Sequence, residues 1–282
     1  MIAWPGLSHA QVFTWQTGPI DPTDYNDSTN WTPAGGAPSF PGQSALFGAG
    51  GSPNVVVNTA VAPDSWTFNA ASQNYIIFGD TVTFSRPASA GGGIVNLANN
   101  GASLIVANDL NGVGGVLQNG NSTLMLFGAA NSFTGATVVL AGTLAAGNVN
   151  AFSFQSAHFV NAGATLRIDN NVFTDIASLS DGPAGGGVVL LNGVATLLRI
   201  NGSTTGATFS GLITGQGNLE FSDVGSQTLT GVGSSIGGSL IVCGCATGVI
   251  EFRGGTFQVG AVTSVMAGTL LVSNGGTLTS LG

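Results

Sequence analysis

Lysine is absent from this chain, and its four basic residues are all arginines: Arg86, Arg167, Arg199 and Arg253. Charged residues of both signs make up only 6%, against about 25% in an ordinary soluble domain. Twelve acidic residues bring the formal net charge to −8. A chain so poor in cations cannot neutralise a phosphate backbone, which argues against nucleic acid as a partner. The same shortage argues against attraction to anionic lipid. Scarce Lys and Glu also disfavour exposed helices, whose outer faces are normally built from them.

Cysteine is nearly absent. Cys243 and Cys245 stand one residue apart, too few thiolates for a structural zinc site and too close for a disulfide framework. On a strand both point to the same face, as two small side chains or as a strained local disulfide. Long apolar runs are missing too: no stretch of 18 apolar residues occurs, so no membrane-spanning helix is expected. At the N-terminus Ser8-His9-Ala10 has the small-x-small form that ends a cleavable leader, and residues 1–10 are read either as the remnant of one or as a chance likeness.

What is abundant is glycine, 46 of 282 residues, more than twice the usual share of about 7%. Disorder does not explain it, because 43% of the chain is apolar and disorder needs a shortage of surface to bury. Collagen-like spacing is absent as well. Residues 11–90 hold three of the four Trp, both Tyr and eight of the ten Pro, and read as an aromatic-rich N-terminal cap with the first irregular coils. From residue 91 to 282 short Val, Ile, Leu, Thr and Phe segments alternate with Gly, Asn, Ser and Asp, the texture of strands punctuated by turns.

These segments repeat. Leu104, Leu124, Leu144 and Leu166 recur at 20, 20 and 22 residues, and Leu198, Leu219 and Leu240 at 21 and 21. The step from Leu166 to Leu198 is 32, which predicts one register slip with an insertion or irregular turn over 172–190; beyond residue 250 the leucines cannot be phased. A strand-type period of this length indicates a solenoid with parallel stacked coils. At about 4.8 Å per coil, residues 91–282 would give about nine coils and a rod about 43 Å long. Stacking is expected to put Arg167, Arg199 and Glu220 at matching places, with an Arg199–Glu220 pair of weak surface value.

One stretch goes further. Residues 131–148 read Asn-Ser-Phe-Thr-Gly-Ala-Thr-Val-Val-Leu-Ala-Gly-Thr-Leu-Ala-Ala-Gly-Asn. This resembles the autotransporter-associated β-strand repeat through Asn131, Phe133, Thr134, Gly135, Thr137, Val139, Gly142, Thr143 and Leu144. Weaker echoes stand at Gly268-Thr269-Leu270 and Gly276-Thr277-Leu278, and Asn30-Trp31 to Pro38 with Ala45-Leu46-Phe47 look like the start of such passenger domains. The resemblance implies a right-handed parallel β-helix displayed outside the cell or on the bacterial outer-membrane surface, serving as a scaffold or adhesin-type passenger with a host or matrix glycan or protein as partner. The family shares no catalytic residues, so none carries over. Autotransporters end in an outer-membrane barrel, which this chain lacks. It is therefore read as a fragment, a barrel-free relative, or a subunit whose open end pairs with another chain.

Two other readings stand beside the passenger: a self-assembling filament or surface-layer subunit joined through open solenoid ends, and a carbohydrate-active β-helix enzyme. For an enzyme, Arg167 and Asp169 share a strand face, with Asp175 and Asp181 following. Asp109, Asp169, Glu220 and Glu251 are acids that stacking brings near one another without singling out a pair. His158 lacks a Gly-x-Ser-x-Gly elbow to serve. Asp21, Asp24, Asn26 and Asp27 gather oxygens that suit calcium, although Asx turns explain the same cluster. Trp15, Trp31 and Trp66 read as core plugs, with a sugar platform as the alternative. No catalytic, cofactor-binding or metal residue is assigned, and no cofactor is expected.

Overall fold

The computed structural model describes residues 10–202, 206–222, 225–243, 249–265 and 269–280. Its strands follow the period-two rule of a pleated sheet with one face buried. In Thr165–Ile168, Leu166 and Ile168 are fully buried while Thr165 and Arg167 stay partly exposed. The strands Thr123–Leu126, Val188–Leu191 and Leu197–Ile200 repeat this pattern. Gly, Asn and Ser between them turn the chain, so that three short strands make one coil and the next coil stacks on it in parallel. The result is a parallel β-solenoid of about ten turns. No α-helix occurs among the described residues; two single-turn 3-10 segments, Ser28–Asn30 and Ala88–Ala90, sit at corners.

Each coil has three faces. The first runs from Gln11–Trp15 through Gln43–Phe47, Ser65–Phe68, Gly93–Asn96, Gly115–Gln118, Thr137–Val139 and Ala157–Val160 to Ser178–Asp181. It resumes in Ala207–Phe209, Ser226–Leu229, Val249–Arg253 and Thr269–Ser273. The second face runs from Asn54–Val57 to Leu212–Gly215. The third begins with the pair Val82–Phe84 and Leu110–Gly112, passes through strandless corners, and resumes at Phe173–Ile176, Leu197–Ile200 and Asn218–Ser222. The ten-residue strand Ser234–Cys243 spans two faces. Its start pairs with Leu212–Gly215 and its end with Asn218–Ser222.

Identical positions stack into columns. Leu104, Leu124, Leu144, Leu166 and Val189 are register partners in succession on the second face, all fully buried. Burying each such side chain contributes about 2 kcal/mol. Leu198, Leu219 and Leu240 form a separate column on the third face. The expected slip between Leu166 and Leu198 is therefore corrected: the second-face column continues without a break through Val189, and the 32-residue step joins two columns. Residues 172–190 hold the regular strands Phe173–Ile176 and Ser178–Asp181. The same correction separates Arg167, which lies beside Leu190, from Arg199 and Glu220. Beyond residue 250 the ladders continue, with Phe257 beside Leu278 and Phe252 beside Val272.

Several fixed residues of the Asn131–Leu144 stretch have a physical reason in the structure. Asn131 Oδ1 accepts from the Leu110 amide at 2.7 Å, and its Nδ2 donates to the Ala151 carbonyl at 2.6 Å, so one buried amide ties three coils together. Phe133 fills the core behind it. Thr137, fully buried, shares a hydrogen bond of 2.9 Å with Ser156. Gly142 has φ +64°, and a Cβ there would run into the carbonyl oxygens of Gly120 and Ser122 on the coil before; only glycine meets both demands.

The opening coils are plugged by aromatics. Trp15, Trp31, Trp66, Tyr25, Phe47 and Phe68 are at most 1% exposed, and a short antiparallel strand, Trp31–Thr32, folds back on Gln11–Trp15. Their polar atoms are paired: Trp15 Nε1 donates to Ser52 O, Trp31 Nε1 to Tyr25 O, Trp66 Nε1 to Tyr25 Oη, and Tyr25 Oη to Pro38 O. Burial pushes the Tyr25 phenol well above its usual range. The alternative of a tryptophan sugar platform is thus corrected, since these rings face the core and no ligand reaches them.

Candidate functional site

Most acidic candidates are occupied by structural partners. Asp21 Oδ1 accepts from the Thr23 amide and hydroxyl, Asp27 Oδ1 from those of Thr29, and Asp24 Oδ1 from the Asn26 amide. Asn26 Oδ1 in turn holds the Asn58 and Thr59 amides. These are Asx turns that fix the first corner, and the Thr23 contacts hold Asp21 below its usual range. Asp109 accepts from the Ala130 amide and Asp181 from that of Ser210. Arg253 and Ser273 bind Glu251 and hold it below the usual carboxylate range. Asp169 takes two bonds from Arg167, at 2.7 and 3.2 Å. Among the described residues no group of three metal-type side chains converges.

His158 is fully buried beside Phe152, ring centroids 5.0 Å apart. Its Nδ1 lies 2.9 Å from the Ser156 carbonyl, and Nε2 has no partner among the described residues. Desolvation lowers its pKa to about 4. Cys245 and the side chain of Cys243 lie outside the described residues, as do Ser8 and His9.

Two of the depressions on the outer surface lie over the ladders described above. On the first face Leu46, Thr67, Val95, Leu117, Val138 and Phe159 stack outward as a half-exposed stripe. The Pro87–Gly92 corner overhangs its middle and encloses an apolar groove of 480 Å³. The second depression, 530 Å³, lies on the third face where that face resumes as a ladder. The loop carrying Asn150, Phe152 and Phe154 lies over the edge of Phe173–Ile176, held by the Asn150 amide on the Phe173 carbonyl and the Phe152 amide on Thr174 Oγ1.

The floor of this cleft is an ion pair. Asp175 and Arg199 are register partners on adjacent coils. Arg199 Nε donates to Asp175 Oδ1 at 2.9 Å and its Nη2 to Oδ2 at 2.6 Å. The guanidinium also sits 4.8 Å from the centre of the Phe173 ring, where a cation is attracted to the aromatic face. Glu220, the neighbour on the other side, approaches Arg199 only to 4.0 Å. The expected Arg199–Glu220 pair is therefore the weaker contact, and Asp175 is the principal partner. Reading the sequence by leucine spacing missed this, because Asp175 lies inside the segment taken for an insertion.

Residues 116–146 match the passenger-associated-transport-repeat family model, a span that contains the whole Asn131–Leu144 stretch. Over 236 residues, 81% of the chain, the sequence is 36% identical to the adhesin BmaC autotransporter of Brucella suis biovar 1 (strain 1330). The aligned region is 7% of that protein, so the chain spans only a small part of its relative's length. No solved structure matches the chain.

Proposed function

We propose that this chain, a β-solenoid carrying a passenger-associated transport repeat, is a segment of a surface-displayed, adhesin-type autotransporter passenger. The observation that carries the reading is the identity of 36% across 81% of the chain to an autotransporter adhesin, joined to a fold whose stacked coils form an extended surface. Such repeats bury their core between neighbours and leave long outer faces for contact. The chain works by binding rather than by catalysis. The described acids serve turns and ion pairs, the one described histidine is sealed in the core, and open depressions on the outer faces suit contact with a partner. Partners of this class are glycans or proteins of a host or matrix surface. The test is to fuse the chain ahead of an autotransporter barrel in a non-adherent bacterium. Display is read by protease shaving of intact cells, and adherence by counting cells on matrix-coated glass. Release by protease together with adherence above a barrel-only strain supports the reading; efficient display without added adherence overturns the adhesin part.

A further inference from the structure

We infer that the cleft between Phe154 and the Asp175–Arg199 pair is a binding site for a neutral glycan; the inference rests on the adhesin reading above and assigns a ligand class to one of its surfaces. Three features point the same way. The first is an aromatic ring that burial does not explain. Phe154 is 49% exposed at the rim of the cleft, while Phe152, two residues before it, is 1% exposed in the core. An open aromatic face suits the apolar C–H face of a pyranose. The second is polar groups fixed in advance. The Asp175 carboxylate is held flat by two bonds to Arg199, and each of its oxygens retains a further acceptor position. Asn150 presents an exposed amide at φ +56° on the same loop, and Ser132, whose hydroxyl donates to Asn111 Oδ1, is part of the lining. Acceptors and an amide around an aromatic wall match a ligand edged with hydroxyl donors. The volume, 530 Å³, falls in the usual range for small-ligand sites, about 300–1,000 Å³.

Charge selects among glycans. Arg199 is matched by Asp175 and has Glu220 4.0 Å away, so the three side chains sum to one negative charge, on a chain of net charge −8. A sialylated, uronate or sulfated sugar would meet this field with its own negative charge, whereas a neutral hexose or N-acetylhexosamine pays no such electrostatic penalty.

The experiment is saturation-transfer NMR on the full chain with two sets of oligosaccharides. The neutral set is lactose, maltotriose, mannobiose and N,N′-diacetylchitobiose; the anionic set is sialyllactose and a heparin disaccharide. Saturation of at least one neutral probe is expected, with affinity about tenfold lower in Phe154→Ala, as loss of one aromatic contact implies. Asn150→Gly, which keeps the left-handed backbone at φ +56°, is expected to weaken the same probe. Both residues are exposed, so neither variant threatens the fold. No saturation of any neutral probe, preference for the anionic set, or equal binding by Phe154→Ala overturns the inference. The two readings fail separately: adherence of displayed cells that is unchanged by Phe154→Ala, with no sugar bound, sinks the glycan site and leaves the adhesin reading intact, whereas display without adherence sinks the adhesin reading.

Discussion

Arg199 reaches back one coil and clasps both carboxylate oxygens of Asp175, at 2.9 and 2.6 Å. The pair is a rung of the parallel ladder as well as the floor of the cleft, so it joins the stacking of coils to the shape of a binding surface. Both side chains are partly exposed, 14% for Asp175 and 29% for Arg199, which limits its energetic worth through solvent screening. Asp175→Asn is expected to cost about 1 kcal/mol in denaturant unfolding, more than an isolated surface pair because the bond is bidentate. Glu220→Gln, whose partner lies at 4.0 Å, is expected to change stability by less than half as much.

His158 makes stability depend on pH. Its folded pKa falls to about 4, while the unfolded value is near 6.5. Between these values the unfolded chain binds a proton that the folded chain refuses, so stability rises with pH across that window and is lost as pH falls from 6.5 towards 4. The shift corresponds to at most about 3 kcal/mol. The urea midpoint of the chain is expected to fall more steeply than that of His158→Leu between pH 7 and 4.5. A parallel pH dependence in the two proteins would contradict it.

Inside the first face, Asn96 Nδ2 donates to Gln118 Oε1 at 2.6 Å and to Ser122 Oγ at 2.7 Å, and Gln118 Nε2 donates to the Gly120 and Ser122 carbonyls. All three side chains are buried. Gln118→Leu removes an acceptor and a donor together, and is expected to cost about 2–3 kcal/mol. The double variant Asn96→Val with Gln118→Leu is expected to cost less than the sum of the singles, because it no longer leaves the Asn96 amide short of a partner.

Glycines at turns are not equivalent. Gly142 and Gly163 both have positive φ, +64° and +83°, so alanine at either pays about 1 kcal/mol for the left-handed backbone. A Cβ at Gly163 meets nothing, while one at Gly142 strikes two carbonyl oxygens of the preceding coil. Thermal unfolding is expected to show Gly163→Ala mildly destabilised and Gly142→Ala far more so.

How much of this was legible follows from the residues themselves. The leucine columns were readable because Leu104 to Leu166 and Leu198 to Leu240 each repeat at one coil length. Their relation was not, because Val189 carries the second-face column past Leu166, and a search for leucine passes over a valine. The Asn131–Leu144 stretch was legible through its fixed residues, some of which meet demands of a coil corner, as Asn131 and Gly142 do, and others of a buried strand, as Thr137 and Leu144 do. The cleft was not. Asn131, Asn150, Phe154, Asp175 and Arg199 come together only through stacking of successive coils, and nothing in their spacing marks them apart from the register. Trp15, Trp31 and Trp66 could be read as core or as platform until burial decided between them.

The most direct test of the central claim is adherence of bacteria that display this chain. The account predicts that, at equal surface density confirmed by protease release, cells carrying the chain attach to host-cell or matrix-coated surfaces above a strain displaying the barrel alone. Attachment no greater than that strain, with the chain fully exposed, would contradict it.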